Sequence, residues 1–131
     1  MTVFDHEKLD VYQIALEFVA HVGEVLERFP PGRHGLADQL SRAATSVVLN
    51  IAEGAGEFSR AEKARFYRMA KRSATECAAA LDVCRVWKVV EVKSLDIGRE
   101  MLLRVVAMLI RVIHVVETDA ARITDSKRDT N

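Results

Sequence analysis

Hydrophobic residues recur along the chain at alternating spacings of three and four residues, the period of an amphipathic α-helix. The first such segment runs from Asp5 to Arg28. Its apolar positions are Val11, Ala15, Phe18, Val22, Val25 and Phe29. We expect this helix to end at Phe29-Pro30-Pro31-Gly32, because the residue before a proline disfavours helical angles and proline cannot continue the turn.

Two more helices follow from the same period. The second is predicted from Gly35 to Glu53, and Gly54-Ala55-Gly56 should end it as a glycine C-cap. Its apolar stripe is Leu36, Leu40, Ala43, Ala44, Val47 and Ile51. The third helix is predicted to begin at the capping box Ser59-Arg60-Ala61-Glu62. In this motif the serine hydroxyl accepts from the backbone N–H of the glutamate, and the glutamate carboxylate accepts from the backbone N–H of the serine. The helix should extend to about Lys88, and Val89 to Lys93 is interpreted as a connection.

The fourth helix is predicted from Ser94 or Leu95 to Ile123, and residues 124–131 form a polar tail. It is apolar around most of its circumference, whereas a helix in a single-chain bundle needs only an apolar stripe of about 100°. We therefore expect it to pack against another subunit. The predicted oligomer interface consists of Leu102, Val105, Val106, Leu109, Ile113 and Val116.

Four helices with short connections predict an all-α protein, an antiparallel up-down-up-down four-helix bundle, with residues 1–123 as one domain. The length of 131 residues, 50% of them hydrophobic and 29% charged, suits a soluble domain. No signal-peptide pattern opens the sequence. The most apolar run, residues 105–116, is shorter than the roughly 20 residues that span a membrane. We expect a cytoplasmic protein that does not enter a membrane.

Charge is balanced overall but unevenly distributed, with 19 Lys and Arg against 19 Asp and Glu. The first helix is acidic, whereas the start of the third is strongly basic. The bases there are Arg60, Lys63, Arg65, Arg68, Lys71 and Arg72. One interpretation is a solvated face that the acidic first helix partly neutralises. The others are a surface that contacts nucleic-acid phosphates and a surface for an acidic protein partner.

Polar residues form a line beside the apolar stripe of the second helix: Gln39, Arg42, Ser46, Asn50 and Glu53. Polar groups at such a border need partners, because an unsatisfied buried group costs about 1–3 kcal/mol. We expect those partners to be Ser73, Thr75 and Glu76 of the third helix, in a hydrogen-bonded network that sets helix register. A ligand or catalytic pocket is the alternative.

Enzyme signatures are not found in the sequence. Di-iron bundles use Glu-x-x-His, whereas His21 to Glu24 and His114 to Glu117 have the reverse order. Cys77 and Cys84 lie about 10.5 Å apart along one helix, too far for a disulfide, and are interpreted as buried hydrophobes. We predict a non-enzymatic protein without metal or cofactor. A bundle that binds a metal or small molecule through Glu53 or Glu76 stays an alternative.

The polar line belongs to a longer motif: Gly35-Leu36, Gln39 to Ala43, Ser46 and Asn50-Ile51-Ala52-Glu53-Gly54, followed by Ser73-Ala74 and Glu76. This motif resembles the bacterial ribosomal-RNA intervening-sequence proteins, also called four-helix bundle proteins, over residues 4–116. The resemblance implies a homopentamer without enzyme activity. The family is also similar to accessory proteins of diversity-generating retroelements, basic pentameric barrels that bind nucleic acid and a reverse transcriptase.

The resemblance and the residues together favour an oligomeric scaffold or adaptor. The alternative function is RNA or DNA binding through the basic face of the third helix. Expected partners are further copies of the chain, and nucleic acid or a protein that processes it. The sequence departs from the family at Arg72, where glycine is common, and at Glu57, where arginine is common. Its zero net charge also differs from the strongly basic retroelement proteins.

Overall fold

The computed structural model describes the backbone of residues 2–129 and the side chains of residues 2–118. A 3₁₀ turn at Asp5–Lys8 precedes four α-helices, which are α1 (Asp10–Glu27), α2 (His34–Gly56), α3 (Arg60–Val86) and α4 (Val92–Asp129). The predicted tail has no described side chains, and residues 130 and 131 lie outside the described part altogether. The described residues form helices and connections, with no strand.

The helices form a ring in which each one contacts two others. α1 contacts α2 and α4, and α3 contacts the same two helices. In the described residues, α1 does not touch α3 and α2 does not touch α4, so these pairs lie across the two diagonals. The short connections, at residues 28–33, 57–59 and 87–91, make consecutive helices antiparallel. The arrangement agrees with the predicted four-helix bundle.

The first predicted helix is interrupted at Leu9, which takes an extended conformation between the 3₁₀ turn and α1. The side chain of Leu9 packs against the core, and its carbonyl oxygen accepts from the N–H groups of Tyr12 and Gln13. α1 ends at Glu27, just before the predicted proline stop. No helix in the described part of the chain is apolar over enough length to cross a membrane.

Large side chains fill the centre of the bundle, with Phe18, Leu40, Ile51, Leu95 and Leu109 among those fully buried. Where α2 and α3 meet, the buried residues are mostly small, and include Ala43, Ala44, Ala70 and Ala74. Both cysteines are buried free thiols, as predicted. Burial, with a smaller contribution from the nearby Glu76 carboxylate, raises the pKa of Cys77 to about 12. That thiol therefore stays protonated, and unreactive as a nucleophile, at neutral pH.

The structure corrects the predicted role of four α4 residues. Leu102, Val105, Leu109 and Val116 were assigned to an interface between subunits, but they are buried in the core of the single chain. The reason is that α4 packs against both α1 and α3, which together cover a wider arc than one stripe. The apolar residues left exposed on α4 are different ones, chiefly Leu103, Ile110 and Val115.

The predicted glycine C-cap of α2 is also wrong. The helix continues through Gly54 and ends at Gly56, and Glu57 follows in an extended conformation. Gly54 instead allows a close approach of α3, because a β-carbon there would lie 2.8 Å from Cε1 of Tyr67. The Lys63 ammonium group donates to the carbonyl oxygens of Gly54 and Ala55 at 2.8 and 2.9 Å and so caps the helix end.

α3 begins and ends with identifiable caps. The Ser59 hydroxyl accepts from the N–H of Glu62 at 3.3 Å, which confirms the predicted start. At the other end, Lys88 takes a left-handed conformation with φ of 54°. The N–H of Val89 then donates to the Cys84 carbonyl at 3.0 Å, which forms a Schellman motif. The connection lies two residues earlier than predicted, because α3 ends at Val86 and α4 already begins at Val92.

Polar contacts join the helices at the end where α4 begins. His21 donates from Nε2 to the Ser94 carbonyl oxygen at 2.7 Å, and Arg28 donates to the Ser94 hydroxyl at 3.3 Å. The Arg33 guanidinium lies over the Trp87 ring, 4.5 Å from its centroid. These contacts connect α1 to α4, and the α1–α2 connection to the α3–α4 connection.

The contact at Gly54 can be tested by adding a single methyl group. We expect Gly54→Ala to lower the free energy of unfolding by about 1–3 kcal/mol, because Tyr67 or the backbone of α3 must move. Gly35→Ala is the matched control, since a β-carbon at Gly35 meets no atom within 4 Å. Its unfolding free energy should be unchanged or slightly higher. Urea denaturation measures both, and equal stability of the two variants would contradict this role of Gly54.

Candidate functional site

The six predicted bases of α3 do not form one set. Arg65, Arg68 and Arg72 are exposed on the outer face of the helix, and Lys71 is half-buried beside them. We call these four residues the basic stripe. Lys63 instead caps α2. Arg60, the first residue of α3, lines a hollow together with Arg68 and Glu117. The structure therefore places five of the six on one surface, four of them in the basic stripe.

Two members of the basic stripe already have acidic neighbours. Arg65 donates to Oε2 of Glu62 from Nη2 and Nε, at 2.8 and 3.1 Å, and from Nε to Oε1 at 3.3 Å. This hydrogen bonding lowers the pKa of Glu62 and raises the pKa of Arg65. Arg68 forms an ion pair with Glu117 of α4. Within residues 2–118, Lys71 and Arg72 take part in no ion pair.

A groove of about 550 Å³ separates the basic stripe from α4. Its α3 side carries Arg68, Lys71, Arg72 and Thr75, and its α4 side carries Ile110, Ile113 and Glu117. Along α4 the groove continues as an apolar strip, which we define as Leu103, Val106, Ile110 and Ile113. Leu103 is 52% exposed and Ile110 is 50% exposed. An apolar surface bordered by charges is typical of a protein-binding site.

The predicted polar network is smaller than expected. The hydroxyls of Ser46 and Ser73 hydrogen-bond across 2.8 Å, which confirms the predicted pairing of α2 with α3. Asn50 donates from Nδ2 to the Ser46 hydroxyl at 3.0 Å and to the Ser46 carbonyl at 2.9 Å. The Thr75 hydroxyl, also an expected partner, instead donates to the Lys71 carbonyl within its own helix.

The outer members of the polar line do not join this network. Gln39, Arg42, Glu53 and Glu76 are exposed, and within the described residues none of them hydrogen-bonds to Ser46, Asn50 or Ser73. Glu76 instead lies between two shallow hollows on the α2–α3 surface. One holds Ser46, Asn50, Met69, Arg72 and Ser73, and the other holds Gly35, Asp38, Gln39 and Arg42.

The chemistry available on this surface is hydrogen bonding and charge pairing. The two serine hydroxyls hydrogen-bond to each other, and no histidine lines either hollow to act as a base for them. In residues 2–118, no three His, Cys, Asp or Glu side chains lie close enough together to hold a metal ion. The hydroxyl pair is thus a direct polar contact between α2 and α3.

The structure corrects the idea that α1 neutralises the basic stripe. The acidic side chains of α1 are exposed, but α1 lies diagonally opposite α3 and does not touch it. Four of these residues, Asp10, Glu17, Glu24 and Glu27, form what we call the acidic stripe. Within the described residues none of the four takes part in an ion pair. The sequence shows both charge clusters, but it does not show that they lie on opposite sides.

Four helices in a closed ring of contacts define an all-α protein of the four-helix bundle type. The chain belongs to the 23S rRNA-intervening sequence protein family, whose pattern matches residues 7–111. This confirms the resemblance inferred from the motif around Asn50. No curated protein matches the sequence.

A solved structure shows the same fold. It is the 1.70 Å crystal structure of a protein with unknown function from the S23 ribosomal protein family of Bacteroides thetaiotaomicron. The two chains superpose with a TM-score of 0.74 and are 20% identical, over 79% of this chain and 95% of the other. At this identity the similarity shows a common fold.

Lys63 stabilises the end of α2, and this role can be tested by substitution. We expect Lys63→Ala to lower the unfolding free energy by about 1–2 kcal/mol, because two carbonyls at the end of α2 lose their charged donor. Lys71→Ala on the same helix is the matched control, with an expected change within about 0.5 kcal/mol. Thermal or urea denaturation measures both. Equal stability of the two variants would contradict the capping role.

Proposed function

We propose that this protein is a non-enzymatic, cytoplasmic, homo-oligomeric scaffold or adaptor. The observation that carries the proposal is the apolar strip on α4, where Leu103 and Ile110 are about half exposed although the bundle core is otherwise enclosed. Burying a half-exposed Leu or Ile side chain stabilises an association by about 1 kcal/mol. A continuous strip of such residues beside a groove favours a protein partner, and a second copy is always present.

The family resemblance supports five copies in the assembly. Repetition around such a ring would present a partner with several identical copies of each exposed charged surface. Charged surfaces repeated in this way strengthen the local electrostatic field and speed the encounter with an oppositely charged partner. The scaffold would thus hold several partner molecules, or several segments of one partner, at fixed spacing.

A second candidate function is nucleic-acid binding through the basic stripe. The observation that favours it is the exposure of Arg65, Arg68 and Arg72 on one helical face. Arginine contacts phosphate oxygens with a rigid set of donors, and the affinity of such contacts falls as salt increases. Zero net charge does not oppose this function, because the acidic stripe lies on the opposite side of the bundle.

Assembly is tested by light scattering of the purified protein at micromolar concentration. We expect a mass near five times the 14.7 kDa of one chain. A lysine in the apolar strip, introduced by Ile110→Lys or Leu103→Lys, should reduce the mass because it places a charge in the contact. Leu49→Lys is the matched control, since Leu49 is 58% exposed but lies on α2. A wild-type mass of 14.7 kDa would contradict the proposal.

Nucleic-acid binding is tested by fluorescence anisotropy with labelled single-stranded and double-stranded RNA and DNA. If three phosphates are contacted, affinity should fall about fortyfold between roughly 50 and 200 mM salt. Replacing Arg65, Arg68 and Arg72 by alanine should abolish binding. The control replaces Arg99, Arg104 and Arg111 of α4, which are also exposed, with the same change of charge. No binding at low salt, or equal loss in the control, would contradict this second function.

A further inference from the structure

We infer that copies of this chain join head to tail, with the acidic stripe on α1 of one protomer lying along the basic stripe on α3 of the next. The inference rests on the proposed oligomer and names the two surfaces that meet in it. It is an alternative to nucleic-acid binding by the basic stripe, which this contact would cover. It follows from three features of the described residues, which are the placement of α1 and α3, the spacing of their charges, and the apolar strip beside α3.

The first feature is the placement of α1 and α3. α1 and α3 lie across one diagonal of the bundle without touching, so their outer faces point to opposite sides of the protomer. One side is therefore acidic and the other is basic. A contact between two different surfaces of identical chains is heterologous, and repeating it produces a closed ring or an open filament. A two-fold dimer would instead place like charges against each other.

The exposed positions that carry these charges follow the same period on both helices. Positions 10, 13, 17, 20, 24 and 27 of α1 follow the three-four alternation and are all exposed. Positions 61, 65, 68, 72, 75 and 79 of α3 follow the same alternation and are exposed as well. The acidic stripe from Asp10 to Glu27 extends about 25 Å along α1, and the basic stripe from Arg65 to Arg72 extends about 10 Å along α3. The basic stripe can therefore lie alongside part of the longer acidic stripe.

An apolar contact accompanies the charges. Leu16 of α1 is 38% exposed and lies beside the acidic stripe, one turn before Ala20. On the surface that would receive this α1, the apolar strip of α4 lies across the groove from the basic stripe. An incoming α1 would thus set its carboxylates against α3 and Leu16 against Leu103 or Ile110. The small side chain of Ala20 would allow the helices to approach closely.

The existing ion pairs of the basic stripe do not prevent this contact. In the pair of Arg65 with Glu62 and the pair of Arg68 with Glu117, both side chains are about half exposed. Exposed ion pairs contribute little to stability and exchange partners readily. With Glu62 and Glu117 counted against them, the four bases of the basic stripe still leave it positive, whereas the acidic stripe has no ion-pair partner within residues 2–118.

Charge reversal tests the contact. Variant A carries E17K and E24K, and variant B carries R65E and R72E. We expect either variant alone to dissociate at concentrations where the wild type is assembled, with at least a tenfold rise in the dissociation constant. A and B cannot alternate at every contact of a five-membered ring, so recovery is tested in a single chain. A chain with all four substitutions should assemble, since both of its surfaces are reversed and each α1 again meets an α3 of opposite charge.

The control for variant A is D38K with E100K, which makes the same change of charge at exposed positions of α2 and α4. It should assemble like the wild type, and circular dichroism should show every variant folded. If the wild type assembles and variants A and B also assemble, the head-to-tail contact is refuted while the proposed oligomer stands. If the wild type is a monomer, both fail. Dissociation of B but not A, or no recovery of assembly in the chain with all four substitutions, also refutes the contact between α1 and α3.

Discussion

Near the end of α2, the Tyr67 ring lies so close to Gly54 that a single methyl group would not fit between them. Buried alanines extend this close approach along α2 and α3. The hydroxyl pair of Ser46 and Ser73 joins the same two helices further along, in the register observed. With α2 and α3 held in this register, Lys63 reaches the last carbonyls of α2. The basic stripe is left facing outward.

This register also determines which polar residues remain available to a partner. Ser46, Asn50 and Ser73 satisfy one another, so the centre of the polar line is a structural contact. The residues beyond it are exposed, and they surround shallow hollows in which guanidinium and carboxylate groups alternate. Such a surface is suited to recognising another macromolecule by hydrogen bonding and charge. It is open to solvent, whereas small-molecule sites are usually enclosed and largely apolar.

The acidic stripe and the basic stripe lie on diagonally opposite helices, so the two sides of the protomer carry opposite charge. A chain with no net charge can still have one acidic side and one basic side when the helices that carry them do not touch. Neutrality overall favours association with other copies, because the long-range repulsion between identical chains is small. Opposite sides of opposite sign then favour one relative orientation. The apolar strip beside the basic stripe adds a contribution that salt does not screen.

Local signals in the sequence determined the helices and several of their ends. The three-four period, the proline stop after Phe29 and the Ser59 cap all depend on residues near one another in the chain, and all appear in the structure. Even the pairing of Ser46 with Ser73 could be predicted, because adjacent antiparallel helices bring their bordering faces together.

Only the tertiary structure decided how each helix is rotated about its own axis. α4 is apolar on several sides, so its sequence could not show that Leu109 faces the core while Ile110 faces the groove. Gly54 is of the residue type that commonly caps the C-terminus of a helix, but in the structure it packs against Tyr67 of the next helix. The distance between the acidic and basic helices depends in turn on which helices become neighbours. Packing of the whole chain decides which helices are neighbours, and no single segment of the sequence determines that packing.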